Sequence, residues 1–531
     1  MIAKLINIKK LLIVVPVFFI FAQSESIISY EMKMANGKGD SRNFFENLID
    51  INTFFDNDLY VYTQFEYSVP PLLGSNNNAI DDILNIIYAQ YSNDKYDLTV
   101  GNLYLLQGMG LSLHTFQNQD IDYDNSIYGI DINYHINDKF DIFSAIGYSN
   151  MKSRINPADI DPSISIKNNV GILGTKFFHD FFDLHYLAMT YNQLYDSKDL
   201  INLMNLSNDL GYHLNSMSDY ILNENPNFEM NNLEHNIGLG FMIGPVDLYL
   251  EKSLVYYNKL LSERTDGYKD YMSLYTNLWG FDILYEYKDY STTMLYNVFS
   301  NPPVVFKEPS SALIGRNLHT IDFSNEYGHQ IDINRIFEND LTLVLSYAFA
   351  LHHREGYDDR DIFNSNTYDD ISLLSDLLPY EQYFIEFSNW SKNGKLYYRI
   401  GYDYYYETTF EKTIEAKTIP MQYAYKFKGG NSITVYAEVQ NKYDNHSISE
   451  YEYIYLSPSY NHFGKWSLTF FSDIDLEDKD SYAVDYTVNL DNSQLSLFFG
   501  SQKGGLVCAN GSCIQQPDFE DGLKVTFRTS F

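Results

Sequence analysis

The chain closes on Leu523-Lys524-Val525-Thr526-Phe527-Arg528-Thr529-Ser530-Phe531. Successive side chains of a strand point to opposite faces. Leu523, Val525, Phe527, Thr529 and Phe531 would line one face, and Lys524, Thr526, Arg528 and Ser530 the other. Such a strand separates two different surroundings. A nine-residue ending is a weak signal alone, so the fold turns on whether the chain repeats it.

It does so throughout. Ile433, Val435, Ala437 and Val439 alternate with Thr434, Tyr436 and Glu438. Leu396, Tyr398, Ile400, Tyr402 and Tyr404 alternate with Tyr397, Arg399, Gly401, Asp403 and Tyr405. Further runs lie at 128–134 and 482–490. Charge confined to one face is tolerable against water and costly against hydrocarbon. One face therefore reads as lipid-facing and the other as lumen.

The connections alternate in length. Short ones carry turn chemistry: Asn93-Asp-Lys95, Asn137-Asp-Lys139, Lys392-Asn-Gly394, Lys428-Gly-Gly-Asn431 and His462-Phe-Gly464. Long ones are acidic and irregular, near 70–82, 106–125, 150–165, 193–233, 300–324, 353–379 and 502–518. Short turns on one side and long loops on the other are the asymmetry of outer-membrane barrels, whose short turns are periplasmic. The fold expected is all-β, a single antiparallel transmembrane barrel of about 24 strands (roughly 22–26) over residues 25–531. A soluble sandwich or propeller is the competing all-β reading. It would not call for the terminal aromatic or for loop lengths that differ between the two ends. In a barrel of this kind Phe531 resembles the signal read by the insertion machinery.

The front end reads as a secretory signal over residues 1–24. Lys4, Lys9 and Lys10 precede an apolar run from Leu11 to Phe21, and Ala22-Gln23-Ser24 supplies small residues for cleavage. That run is shorter than the ~20 residues a spanning helix needs. No segment ahead of the first strand is long enough for a plug domain, which weighs against a TonB-dependent transporter.

Composition agrees with this class. The chain has 49 Tyr and 36 Phe against 3 Trp, and tyrosine suits surfaces that are apolar at one end and wet at the other. The net charge of −34 becomes −37 once the three signal lysines are removed. So acidic a chain lacks the basic footprint of a nucleic-acid partner. The two cysteines, Cys508 and Cys513, flank an Asn-Gly in an exported chain and are expected to form a loop disulfide. No residue set calls for a metal or cofactor.

Three stretches carry a family resemblance. They are Val100-Gly-Asn-Leu-Tyr104 with Gln107-Gly-Met-Gly-Leu111 and Asp124–Gly129; Asn301-Pro-Pro303 with Arg316 and Asn325-Glu-Tyr-Gly-His-Gln330; and the Gly-Gly…Cys…Cys…Pro517 loop. With these the chain resembles a porin-like, functionally uncharacterised outer-membrane barrel family of Bacteroidota-type Gram-negative bacteria. The resemblance implies one large barrel and no established activity.

Segment 301–324 is too apolar for a freely solvated loop. It is expected either to fold into the lumen as a constriction, with Arg316 and Glu326 facing each other or a solute, or to pack on the rim. Inward strand charges are Glu386, Arg399, Asp403, Glu438, Asp485, Lys524 and Arg528; facing acids and bases of this kind can sort solutes by charge. Ser112-x-His114 and His352-His353 lack a third partner at a recognisable spacing, and no catalytic residue is assigned. The expected function is a porin-like channel for small solutes, in contact with lipid and served by the insertion machinery. The alternative is a barrel plugged by its loops that docks a surface or periplasmic partner.

Overall fold

The structure is a computed structural model that describes residues 24–38, 43–55, 58–69, 74–75, 84–119, 123–153, 164–196, 227–257, 266–292, 298–308, 310–317, 319, 325–353, 379–408, 412–445, 449–476, 479–509, 512–516 and 518–531. The segment 1–24 expected to be a signal, apart from Ser24, and the 353–379 loop beyond His353 and before Pro379 lie outside the described residues. Among those described, twenty-four long strands follow one another in chain order, each antiparallel to the next. The ring closes where Ser24–Lys38 pairs with Phe519–Ser530, Glu31 opposite Arg528 and Met32 opposite Phe527. At that seam the Phe531 amide donates to the Ile28 carbonyl at 2.8 Å. Among the described residues, closure gives each of the twenty-four strands a partner on both sides.

The turns expected from sequence all fall at one end of the barrel, the end that also holds Ser24 and Phe531. Tight reversal there uses left-handed backbone: Gly394 at φ 64°, Gly430 at 93° and Gly464 at 70°. The long connections gather at the opposite end.

The outward face matches the alternation. Ile132, Ile146, Leu173, Ile400, Val439 and Phe470 are exposed on the outside. Outward tyrosines flank this apolar zone, with Tyr134, Tyr398 and Tyr423 near the turns and Tyr148, Tyr383 and Tyr482 toward the loops. Charges reappear on the outside above them, as in the Lys417–Glu415 pair, and inside the belt the outward Lys252 is paired with Asp270 at 2.8 Å. That layered exterior is what an amphipathic ring at each water boundary requires.

The inward face departs from the expected polar lining over part of the ring. Ile166, Val170 and Ile172 on Ile164–His179, and Leu187, Met189 and Tyr191 on Phe182–Asp196, point inward and are buried. They form the largest apolar cluster among the described residues, together with Leu103, Leu113, Val298 and Phe299. An apolar inner wall needs a cover, and two inserted loops provide it.

Candidate functional site: a lumen occupied by two loops

The first loop leaves the wall after Tyr96–Leu103 and returns at Ile127–Asn137. Inside the lumen Leu106–Gln107 pairs with Leu113–His114 to make a small hairpin. Its tip is Gly108-Met109-Gly110, with both glycines at positive φ. Gly108 has a φ of 57°, and a Cβ there would press on Glu251 Oε2 at 2.4 Å and on the His185 ring at 2.7 Å, so the position favours glycine. The Met109 amide donates to Glu251 Oε2 at 2.6 Å. Glu251 also accepts from Tyr249 at 2.6 Å and from Asn236 at 2.8 Å. Nearby, the Lys269 ammonium donates to the Leu111 carbonyl and to Ser300 Oγ, and lies 3.1 Å from Glu234.

The second loop, described over 298–308, 310–317 and 319, packs on the first and then crosses the lumen. The His114 amide donates to the Phe299 carbonyl at 2.7 Å, and the Asn301 amide to the Gly110 carbonyl at 3.0 Å. On the wall strand Phe281–Ser291, Tyr290 and Lys288 donate to the carbonyls of Pro303 and Val304. Further across, Glu438 of Ser432–Asp444 accepts from Ser311 Oγ and from the amides of Ala312 and Leu313, at 2.6, 2.8 and 3.0 Å. A single 3-10 turn, Ile314–Arg316, follows, and the Arg316 guanidinium forks onto Asp473. Residues 301–308 and 310–317 therefore lie in the lumen.

His319 ends the crossing. Its ring stacks on Tyr380 at 4.1 Å between centroids. Nδ1 lies 2.7 Å from Glu407 and Nε2 3.0 Å from Glu326, so both ring nitrogens face carboxylates. Lys288 pairs with the other side of Glu326. Two cations and two anions are thus buried together. Burial alone would lower the His319 pKa, but the charges of Glu326 and Glu407 and their hydrogen bonds outweigh it and raise it from 6.5 to about 9. A raised pKa means the contribution is complete below about 6.5 and is lost as pH climbs through about 9. The difference is worth roughly 3 kcal/mol. Hydrogen exchange of segment 298–319 should accordingly quicken above pH 9 and stay slow at pH 6. An exchange rate that follows only the intrinsic pH dependence would contradict this.

The structure redistributes the charges marked from sequence. Arg316 and Glu326 do not face each other: Arg316 reaches Asp473, and Glu326 reaches Lys288 and His319. Glu438 and Asp403 are buried rather than open to solute, Glu438 holding the loop and Asp403 accepting from Gln382 at 2.7 Å. Glu386 and Arg399 pair at 3.7 Å. Asp485 accepts from Ser496 and Thr487. Lys524 donates to Gln502, and Arg528 pairs with Glu31. Ser112 bonds Ser253 at 3.0 Å. Cys508 and Cys513 sit directly opposite in the hairpin Gly505–Ala509 with Ser512–Gln516, and their side chains lie outside the described residues. Residues missed by the sequence reading are Glu234, Glu251, Lys269, Lys288, His319, Glu407 and Asp473.

Two cavities remain beside the loops. At the loop end a cavity of about 410 Å³ separates Ser311–Arg316 from Tyr455, Phe471, Asp473 and Phe498. At the turn end a cavity of about 570 Å³ is lined by Glu31, Asp50, Asn489, Gln494 and Arg528. Both rest on the strands Ser481–Leu490 and Ser493–Gln502, and Asp485, Thr487, Ser496, Lys524 and Thr526 lie on the inward face between them.

Likenesses among solved structures reach the fold only. The siderophore receptor PirA from Pseudomonas aeruginosa aligns over 96% of this chain and 80% of its own, at 7% identity and a TM-score of 0.45. For the copper transporter OprC the figures are 96%, 81%, 8% and 0.45. The P pilus usher (PapC) translocation pore aligns over 95% and 99%, at 10% identity and 0.41. No curated protein matches the sequence. A family profile does match, over residues 19–168 and 264–531, leaving out 169–263, which holds most of Ile164–His179 and the strands Phe182–Asp196, Asn227–Ile243 and Val246–Tyr257 with their connections. With most of its length so matched, the chain belongs to the family of unknown function DUF6029.

Proposed function

We propose that the protein is an outer-membrane channel narrowed by its own loops, passing small solutes along the wall built by its last strands and its first two. The stacking of two cavities on the same strands, one at each end of the lumen, carries this reading. The tyrosine-flanked apolar exterior supports a membrane location. Without an insert, a barrel of this size would enclose a wide aqueous hole. The two loops turn it into a constricted path. The acidic charge of the chain favours cations at its mouths. Phe531, outward at the closing seam, is where the insertion machinery would read the chain.

The test is conductance in a planar bilayer, comparing the mature protein with a variant in which 302–317 is replaced by a short Gly-Ser linker. The intact protein should give small, cation-preferring steps, and the variant steps several-fold larger. Equal steps from both would remove the constriction. Silence from both, with folded barrel on a gel, would favour a plugged barrel that docks a surface or periplasmic partner.

A further inference from the structure

The cavity at the loop end differs from the rest of the open wall. Between the two cavities the inward residues are Asp485, Thr487, Ser496, Lys524 and Thr526, all polar. At the loop end three neighbouring positions are aromatic: Tyr455, Phe471 and Phe498, on the strands Ser449–His462, Trp466–Asp475 and Ser493–Gln502. Phe471 and Phe498 are 6.1 Å apart between centroids and tilted by 44°. None of the three is fully buried. Aromatic rings left half open on a wet wall are surfaces for something to stack on. Across from them stand Gly315 and Arg316 of the inserted loop.

Charge at this cavity cancels locally. Arg316 forks onto Asp473, and Lys503 lies 2.7 Å from Asp475. Lys524 and Asp485 flank Phe498 on its two neighbouring strands, and the Lys524 ammonium stands 5.0 Å from the Phe498 centroid on one side of the ring. With these two included, the formal charges around the rings sum to zero. Neutral partners are plentiful, with hydroxyls on Ser481 and Ser501 and the amide of Gln502 around the rings. The volume of about 410 Å³ lies within the roughly 300–1,000 Å³ of small-molecule sites. Open ring faces, a rim of hydroxyl and amide groups and zero net charge together describe a solute with apolar C–H faces and many hydroxyls.

We propose that this cavity binds a neutral saccharide, its C–H faces against Phe471 and Phe498 and its hydroxyls toward the polar rim. The inference rests on the channel reading and adds a solute class to it. Calorimetry of the full-length mature protein in detergent, titrated with maltotriose and then cellotriose, tests it. At least one glucan should bind, and about tenfold more tightly than trigalacturonic acid, an anionic control of similar size. Phe471→Leu keeps the bulk and removes the ring face, so affinity should fall about tenfold, while Phe471→Trp should hold it within about twofold. A gel shift on heating confirms that each variant is folded. No heat from either glucan, or an unchanged affinity in Phe471→Leu, would overturn the proposal. Bilayer currents separate the two readings: conduction without saccharide binding removes the site and leaves the channel, and binding to a silent barrel does the reverse.

Discussion

Glu326→Gln should destabilise the inserted loop by about 3–5 kcal/mol, the usual cost of removing one member of a buried ion pair. Glu326 and Lys288 have no exposed side-chain surface, and His319 has almost none. With the carboxylate gone, two cations would remain buried against Glu407 alone. The penalty comes from that unpaired charge rather than from lost packing, because Gln has nearly the shape of Glu. Removing the second charge should therefore recover much of the loss: Lys288→Met with Glu326→Gln should cost well under the sum of the single changes. Protease cleavage within 301–317 and hydrogen exchange of the same segment report the release. Barrel unfolding in urea should shift less, since the wall strands keep their ladders. Wild-type protection of the loop in Glu326→Gln would show that the cluster does not hold it.

The fold was largely legible because a barrel wall is a local pattern. Alternation over ten residues, such as Ile433 to Asn441, reports its own two surroundings, and turn glycines such as Gly394 and Gly464 mark the near end. The interior was less legible because its partners are far apart in sequence. Met109 meets Glu251 across 142 residues, and Arg316 meets Asp473 across 157. An inward Glu438 looks the same in sequence whether it faces water or caps a loop. Two local cues did exist. Asn301-Pro-Pro303 was too apolar for a solvated loop, and Gly108 and Gly110 around Met109 marked a tip that had to approach another backbone closely. What no local pattern supplied was which wall each loop would cross to.

Arginine at Ile400 or Val435 should cost about 2–4 kcal/mol of barrel stability toward the midplane of the membrane, whereas arginine at Thr434 should be nearly neutral. Ile400 is exposed on the outside of Leu396–Thr408, between outward Tyr398 and Tyr402. Its cross-strand partners are Phe387 and Met421, so the new guanidinium would meet hydrocarbon and apolar side chains with nothing to pair with. Val435 sits in the same environment, opposite Tyr423 and Pro458. Thr434 is one residue away, and one residue on a strand is a change of face. There the charge would enter the lumen opposite Ala424 and Ser459, within reach of water. Arginine can bend toward a water boundary, so the penalty at Val435, directly opposite the turn-side tyrosine Tyr423, should be the smaller of the two outward values. Urea titration of folding into lipid vesicles gives all three numbers under one set of conditions. Equal costs at Thr434 and Val435 would mean that the two faces of this strand do not meet different solvents, and the membrane reading of the barrel would fall with that result.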